Sequence, residues 1–418
     1  MHSASNSSSD FYQKQIDAGL KAWHTFIPHS FKYPYCWHAH FNVFTSTAQR
    51  WLTSWNDLRG IKKKYTTSVA STLVNLVLRR NISSWIARRL TNGTASQLFC
   101  LPNVYLAGFP KCGTTFLYSL ITSHPLFAKP HSKEGNFWRE FVKTADPLYK
   151  KLDVLHYLFH CKPAANEIET SEKKLTIDGS ASTVFASPNT GVSLEKDVCI
   201  LPTLLSKVLP DAKYIIIMRN PVERLWSDYW YFCAKSRWKV RHNNIVSYRI
   251  PSEAVLSASE TFHNHSMVVL DDFQDCLQKH NSEFECVMRA NSEDGIFSAC
   301  QGARVGVGLY YFHIVKWLSI LPSNRFLFLR MEDLIDDAFS VMQKVWEFLE
   351  VAPLTKELLD FHIENSVKKN ANSWIVSEKY RSKFTMSPVT HRLLASFHQP
   401  YNLRLARLLK DDRFLWND

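Results

Sequence analysis

Val104-Tyr105-Leu106-Ala107-Gly108-Phe109-Pro110-Lys111-Cys112-Gly113-Thr114-Thr115-Phe116-Leu117-Tyr118-Ser119-Leu120-Ile121 is the stretch on which the reading of this chain turns. The apolar run that ends at Gly108 predicts a short buried strand, and the residues from Thr114 to Ile121 read as a helix. Pro110 and Gly113 make the turn between them tight. Strand, tight turn and helix in that order aim the backbone N–H groups of a helix N-terminus at an anion, most often a phosphate.

The Gly108 to Gly113 spacing is that of a nucleotide-triphosphate loop. Such a loop carries lysine directly after its second glycine, where it reaches the β and γ phosphates. Here Thr114 occupies that place and Lys111 stands three residues earlier, which changes the oxygen it can touch. The strand pattern Tyr214-Ile215-Ile216-Ile217-Met218 is followed by Arg219, where a magnesium-holding enzyme would put an acid. Asp178, after Leu175-Thr176-Ile177, is the remaining acid that could serve, so a kinase or NTPase is disfavoured and stays open.

A second motif begins at that arginine. Asn220 suits the N-cap and Pro221 the first position of a helix that continues Val222-Glu223-Arg224-Leu225-Trp226-Ser227-Asp228-Tyr229-Trp230-Tyr231. Arg219 is thereby expected at the C-terminal edge of a sheet, where α/β proteins bind ligands. A guanidinium grips a phosphate through two charge-assisted hydrogen bonds, and Ser227, about two turns into the helix, can add a hydroxyl donor.

Between the motifs lies Ser132-Lys133-Glu134-Gly135-Asn136-Phe137-Trp138. Transfer of a group onto a hydroxyl requires that the hydroxyl lose its proton, and a carboxylate beside the transferred group can accept it. Glu134 is the candidate base. Cys112, inside the first loop, reads as a small filler, since no histidine partner stands near it in sequence.

Short apolar runs at Leu175 to Ile177, Tyr214 to Met218 and Phe326 to Leu329 alternate with helical stretches and predict an α/β domain with a P-loop-like parallel sheet flanked by helices. Closing helices are expected around Ala338 to Leu349 and Val389 to Leu409. Composition shifts at Leu98, so the chain divides into a helical N-terminal stem region over 1–97 and a main domain over 98–418. Val69 to Leu78 reads as a helix of the globular part.

With 418 residues, 45% apolar and 13% aromatic content, the chain is too rich in core-forming residues to be disordered or fibrous. Its formal net charge of +12 favours polyanionic partners such as acidic polysaccharide, anionic lipid or nucleic acid. Nine cysteines without metal-ligand spacing suggest four disulfide pairs and one free thiol, and acceptor triplets at Asn6, Asn81, Asn92 and Asn264 are compatible with glycosylation. Both features favour the secretory lumen. No run of about 18 apolar residues is present, and Met1 to Asp10 lacks the apolar core of a secretion signal, so any membrane anchor is expected outside this chain.

Pro110-Lys111-Cys112-Gly113-Thr114-Thr115 resembles the 5′-phosphosulfate loop of the Golgi carbohydrate sulfotransferases. Arg219 to Tyr231 resembles the 3′-phosphate motif of the same family, about a hundred residues later as in its members. The resemblance covers Leu98 to Asp418 and implies the sulfotransferase fold, with 3′-phosphoadenosine 5′-phosphosulfate (PAPS) as co-substrate and no metal. It implies that Lys111, Cys112, Gly113, Thr114 and Thr115 hold the 5′-phosphosulfate, that Lys111 also acts in catalysis, and that Arg219 and Ser227 bind the 3′-phosphate. Many members that act on glycosaminoglycans carry Lys-Glu, a small residue and His, with the Glu as base; Glu134 matches, and Asn136 replaces the His. Lys369, in Lys368-Lys369-Asn370, falls where the family often has a basic loop closing over the nucleotide. Leu309-Tyr310-Tyr311 to Trp317 and Arg330-Met331-Glu332-Asp333-Leu334 match late segments that are read as structural.

Within the family the paired motifs are most similar to the N-acetylgalactosamine 4-sulfate 6-O-sulfotransferase branch, which acts on chondroitin and dermatan sulfate. The expectation is therefore a Golgi-lumenal enzyme of type II membrane topology whose partner is an anionic polysaccharide and not nucleic acid. The alternatives are a P-loop kinase or NTPase and a basic polysaccharide-binding protein without activity.

Overall fold

The computed structural model describes residues 5–24, 27, 35–40, 96–143, 147–171, 173–186, 200–234, 239–242, 245–248, 252–280, 282–290, 304–373 and 385–417. The helix expected over Val69 to Leu78 and the triplets at Asn81 and Asn92 lie outside them. The chain opens with α1 (Ser5–Trp23), β1 (Cys36–His40), β2 (Ser96–Cys100), β3 (Val104–Gly108), α2 (Thr114–Ile121), β4 (Phe127–Ala128), α3 (Phe137–Lys143), α4 (Pro147–Thr170) and β5 (Leu175–Asp178). It continues with α5 (Ile200–Val208), β6 (Lys213–Met218), α6 (Pro221–Tyr229), a π-helical turn (Trp230–Ala234), the β7–β8 hairpin (Lys239–His242 and Ile245–Tyr248), α7 (Ser252–Lys279) and α8 (Glu283–Arg289). The last part holds α9 (Val305–Gly308), α10 (Tyr310–Leu318), β9 (Phe326–Arg330), α11 (Met331–Asp336), α12 (Ala338–Leu349), α13 (Lys356–Ser373) and α14 (Pro388–Leu409).

Five strands form a parallel sheet in the order β4-β5-β3-β6-β9. Parallel strands with helices on both faces must be apolar on both sides, and β3 is buried along its whole length, as is β6 from Tyr214 onward. From the central β3 the chain first crosses to the edge strand β4, comes back to insert β5 between the two, and then adds β6 and β9 on the other side. The order reverses at β3, and ligands of open α/β sheets settle at such a reversal, beyond the C-terminal strand ends. The loop quoted at the outset leaves β3 at that end.

The α/β architecture, its four longer strands and the two closing helices follow the apolar runs. The sequence reading missed β4, because two residues carry no alternation to detect. Around the composition boundary at Leu98 runs β2, which pairs antiparallel with β1 outside the main sheet, where a Cys36–Cys100 disulfide joins the two. Helix α1 packs on the main core, with Trp23 stacked on Trp138 at 5.3 Å.

A second disulfide joins Cys276 to Cys286, whereas Cys112 and Cys161 are both unpaired and buried. The expected scheme of four pairs and one free thiol is thus corrected. Cys112 is held in the turn after β3 and Cys161 is enclosed in the core around α4, both without a disulfide, which leaves seven of the nine cysteines and room for three pairs. Among the described residues no helix is long and apolar enough to cross a membrane.

Candidate functional site

The loop from Gly108 to Gly113 is anchored at its start by Phe109. That side chain is fully buried against Tyr310, at 4.6 Å between ring centroids, and its N–H donates to the Ile217 carbonyl of β6 at 2.8 Å. Lys111 and Gly113 both have left-handed backbone angles, φ 68° and 80°. Such angles are costly at a lysine and free at a glycine, so the turn is held open by its surroundings. Gly113 caps α2 without any side-chain hydrogen bond. The Phe116 N–H turns back to the Gly113 carbonyl at 3.0 Å, and the N–H groups before it are the ones a helix start leaves for an outside partner.

Cys112 is fully buried, with its sulfur 3.6 Å from the Tyr310 hydroxyl, and burial pushes its thiol up to about 11. A protonated, enclosed thiol is neither nucleophile nor ligand, which agrees with the filler reading. The same Tyr310 hydroxyl donates to the Arg219 carbonyl at 2.9 Å. One phenol thus ties the first motif to the second, across the adjacent strands β3 and β6.

Arg219 directly follows β6. Asn220 caps α6 by accepting the Val222 N–H at 3.0 Å, and Pro221 takes the first helical position, both as the sequence predicts. The Asn220 N–H donates to Glu332 Oε1 at 2.7 Å, so the acidic turn after β9 fixes the entry of this helix. The Arg219 guanidinium, about a quarter exposed, lies 3.3 Å from Glu223 one turn on. Ser227 is half-buried on the same helix.

Glu134 is brought to the turn after β3 by its neighbour. Lys133 Nζ donates to the Thr114 hydroxyl at 3.2 Å and to Glu134 at 2.5 Å, so one ammonium spans the loop and the candidate base. The segment is zipped to the turn after β5. Gly179 N–H donates to the Lys133 carbonyl at 3.0 Å, the Asn136 N–H to Ser180 Oγ at 2.9 Å, and Ser182 Oγ to Asn136 Oδ1 at 2.8 Å. A Cβ on Gly179 would come within 2.7 Å of both Lys133 and Tyr118, so only glycine allows this approach. Asn136, at φ 49°, takes a left-handed turn that asparagine tolerates. At the place of the family histidine it works as a clasp.

Asp178 spends both oxygens inside the fold, accepting the Tyr157 hydroxyl at 2.7 Å and the Ser180 N–H at 2.8 Å. It shapes the turn that grips the Glu134 segment. Beneath α6, Arg224 and Asp228 are both fully buried and 3.2 Å apart, and Arg304 closes on the same carboxylate with two bonds of 3.2 and 3.0 Å. One carboxylate facing two guanidiniums leaves a surplus of positive charge under the second motif.

Lys111, Cys112, Gly113, Thr114 and Thr115 follow β3 and Arg219 follows β6 at the same sheet edge, Glu134 is linked to that edge through Lys133, and Ser227 lies further along α6. Lys369 does not sit on the expected closing loop: it belongs to α13, whose sequence from Lys356 to Ser373 has neither Pro nor Gly to break a helix. That helix is tied to α2 by a Ser119–Ser366 hydroxyl contact of 2.8 Å, and the side chains of residues 367–373 are outside the description. Sequence reasoning passed over Lys133 as part of a charged pair and gave Tyr310 no link to the motifs. Nothing in linear spacing marks a hydroxyl that acts across 91 residues.

The sulfotransferase domain family matches residues 101–392 of the chain. Carbohydrate sulfotransferase 15 of Homo sapiens is 29% identical over 346 residues, covering 78% of this chain and 56% of the relative, and the Rattus norvegicus protein of the same name is 28% identical over the same length. The bifunctional heparan sulfate N-deacetylase/N-sulfotransferase of Drosophila melanogaster is 26% identical over 322 residues, covering 74% of this chain and 26% of its own length. The chain therefore spans about half the length of the carbohydrate sulfotransferase 15 proteins it matches. Among solved structures, a sulfotransferase from Alicyclobacillus acidocaldarius aligns with a TM-score of 0.45 at 18% identity, covering 75% of this chain and 97% of that one.

Proposed function

The chain belongs to the sulfotransferase domain family, and from that premise we propose that it is a PAPS-dependent carbohydrate sulfotransferase. The acceptor we propose is a glycosaminoglycan hydroxyl, the 6-OH of N-acetylgalactosamine 4-sulfate in chondroitin or dermatan sulfate. The single observation that carries the reading is the Tyr310 bridge. It puts the anion-binding turn of Lys111 and the arginine of the second motif on neighbouring strands at one sheet edge, as a nucleotide with anionic groups at both ends requires.

The residues fit that co-substrate. A helix N-terminus capped by a bare glycine offers N–H groups to the 5′ end, and Arg219 with Ser227 offers donors to the 3′-phosphate. PAPS would supply a sulfuryl group already attached to a good leaving group. This chain's part is then positioning and charge. Lys111 offsets the negative charge that builds on the departing oxygen, and Thr114 and Thr115 hold the phosphate. Glu134 accepts the acceptor proton, and Lys133 keeps Glu134 in register with Thr114. Asp178, the one acid left open for a kinase, is committed to Tyr157 and Ser180.

The names of the relatives in Homo sapiens and Rattus norvegicus support a carbohydrate acceptor, and the net charge of +12 suits an anionic polymer. Two disulfides support an oxidising lumen, and the Golgi is the compartment we propose. The test is incubation with radiolabelled PAPS and separate chondroitin, dermatan, heparan and keratan chains, followed by disaccharide analysis. Label on the 6-OH of N-acetylgalactosamine 4-sulfate, absent with folded Lys111→Ala, supports the reading. Label confined to heparan or keratan overturns the acceptor, and no label on any chain overturns the activity.

A further inference from the structure

Lys111 leads to a residue that neither motif assigns. Its ammonium lies 3.9 Å from the ring centroid of Tyr231, which sits on the π-helical turn that follows α6 and is 51% exposed. We infer that Tyr231 is a positioning residue for Lys111, its ring face holding the ammonium where the departing oxygen will develop charge.

A lysine side chain has four rotatable bonds, so an ammonium that must meet one oxygen needs a fixed resting place. An aromatic face provides one without an anion that would compete with the nucleotide. Tyr231 is itself braced. Its ring meets Phe232 edge-on at 4.8 Å, and Phe232 lies 4.8 Å beneath the Arg304 guanidinium, which the buried Asp228 holds by two bonds. Asp228 follows Ser227 directly on α6. A continuous chain of contacts thus runs from the helix that carries the second motif to the lysine of the first. The wide π turn takes Tyr231 off the α-helical register at the point where this contact is made, and such turns recur at functional sites.

The inference rests on the proposed activity, so the experiment separates the two. Sulfuryl transfer from PAPS to chondroitin and calorimetric binding of 3′-phosphoadenosine 5′-phosphate are measured for the full chain. The variants are Tyr231→Phe, Tyr231→Leu and a series in which position 231 carries phenylalanine with one, two or three ring fluorines. Fluorine drains the ring face and weakens its hold on a cation while hardly changing its shape. Tyr231→Phe is expected to keep kcat within about twofold, and Tyr231→Leu to lose about 3- to 30-fold in kcat, within the range of a cation–ring contact. Binding of 3′-phosphoadenosine 5′-phosphate, which has no sulfuryl group, stays within about twofold, and log kcat falls stepwise with fluorination. A Tyr231→Leu chain as fast as wild type, a Tyr231→Phe chain as slow as Tyr231→Leu, or a kcat indifferent to fluorine overturns the inference alone. A wild-type chain that transfers nothing from PAPS rejects the activity, and the inference with it.

Discussion

Lys133 Nζ donates to the Thr114 hydroxyl while pairing with Glu134, so the first residue of the phosphate-loop helix and the candidate base share one cation. Thr114 is buried and Glu134 is exposed to solvent, and Lys133 is the bridge between those two environments. The segment holding it is fixed by backbone bonds to the turn after β5, so the bridge is built into the fold.

The first prediction concerns that bridge. Lys133→Met removes the cation and keeps the apolar stem, and kcat for sulfuryl transfer is expected to fall about 100-fold, the usual effect of deleting one preorganised charge. If Lys133 acts through Glu134, the double variant with Glu134→Gln will be hardly slower than Glu134→Gln alone. Steady-state transfer from labelled PAPS reads the cycle; losses that multiply fully would show two independent residues.

Arg219 yields a second expectation. If Arg219 takes the 3′-phosphate as proposed, Arg219→Ala should weaken 3′-phosphoadenosine 5′-phosphate about 10- to 100-fold while leaving adenosine 5′-phosphate within about twofold. Titration calorimetry with both nucleotides provides the comparison. Equal losses for the two would mean that Arg219 serves the 5′ end or the fold at large.

Much of this site could be read before any coordinates, and the reason lies in how the motifs are made. Gly113, Asn220 and Pro221 act through backbone angles and caps that adjacent residues determine, so their places appear in short stretches. Tyr310, Glu332 and Lys133 act through space, two of them from beyond α6, and their chemistry emerges only when β3, β6 and β9 lie side by side. Asn136 is instructive in another way. Compared with the family pattern it looks like a lost helper, yet its φ of 49° and its bonds to Ser180 and Ser182 give it a local structural task. The closing loop expected at Lys369 failed because a basic run says nothing about backbone, and an unbroken helix former pattern decided it.

Acid sensitivity follows from two enclosed histidines. Burial, aided by Arg224, lowers His398 to about 3, and burial lowers His313 to about 4. Neither ring nitrogen of His398 has a hydrogen-bond partner among the described residues. Both folded values lie below the ordinary histidine value near 6.5, so the unfolded chain binds the extra protons first. Their contribution is complete above about pH 6.5 and is lost as pH falls toward 4, on the order of 3 kcal/mol each at pH 4. Urea midpoints between pH 7 and pH 4 should drop steeply, and His398→Leu should flatten that limb. An unchanged slope in the variant would assign the acid loss elsewhere.

The last prediction separates stability from catalysis beneath the second motif. Asp228 is fully buried and faces both Arg224 and Arg304. Asp228→Asn keeps the volume and removes the charge, which leaves Arg224, with no exposed surface, uncompensated. Breaking a buried pair from one side costs about 3 to 5 kcal/mol, far more than the pair contributes relative to an apolar replacement. Urea unfolding of Asp228→Asn should therefore show a loss of that size, and Arg224→Met in the same background should recover a good part of it, because the stranded cation is gone. If Arg224→Met adds its own loss instead, the network stabilises by packing and not by charge balance. Asp228→Asn also leaves Arg304 one acceptor oxygen in place of two, so the surviving folded fraction should lose kcat more than affinity for 3′-phosphoadenosine 5′-phosphate, since Arg304 braces Phe232 and, through it, the ring that holds Lys111.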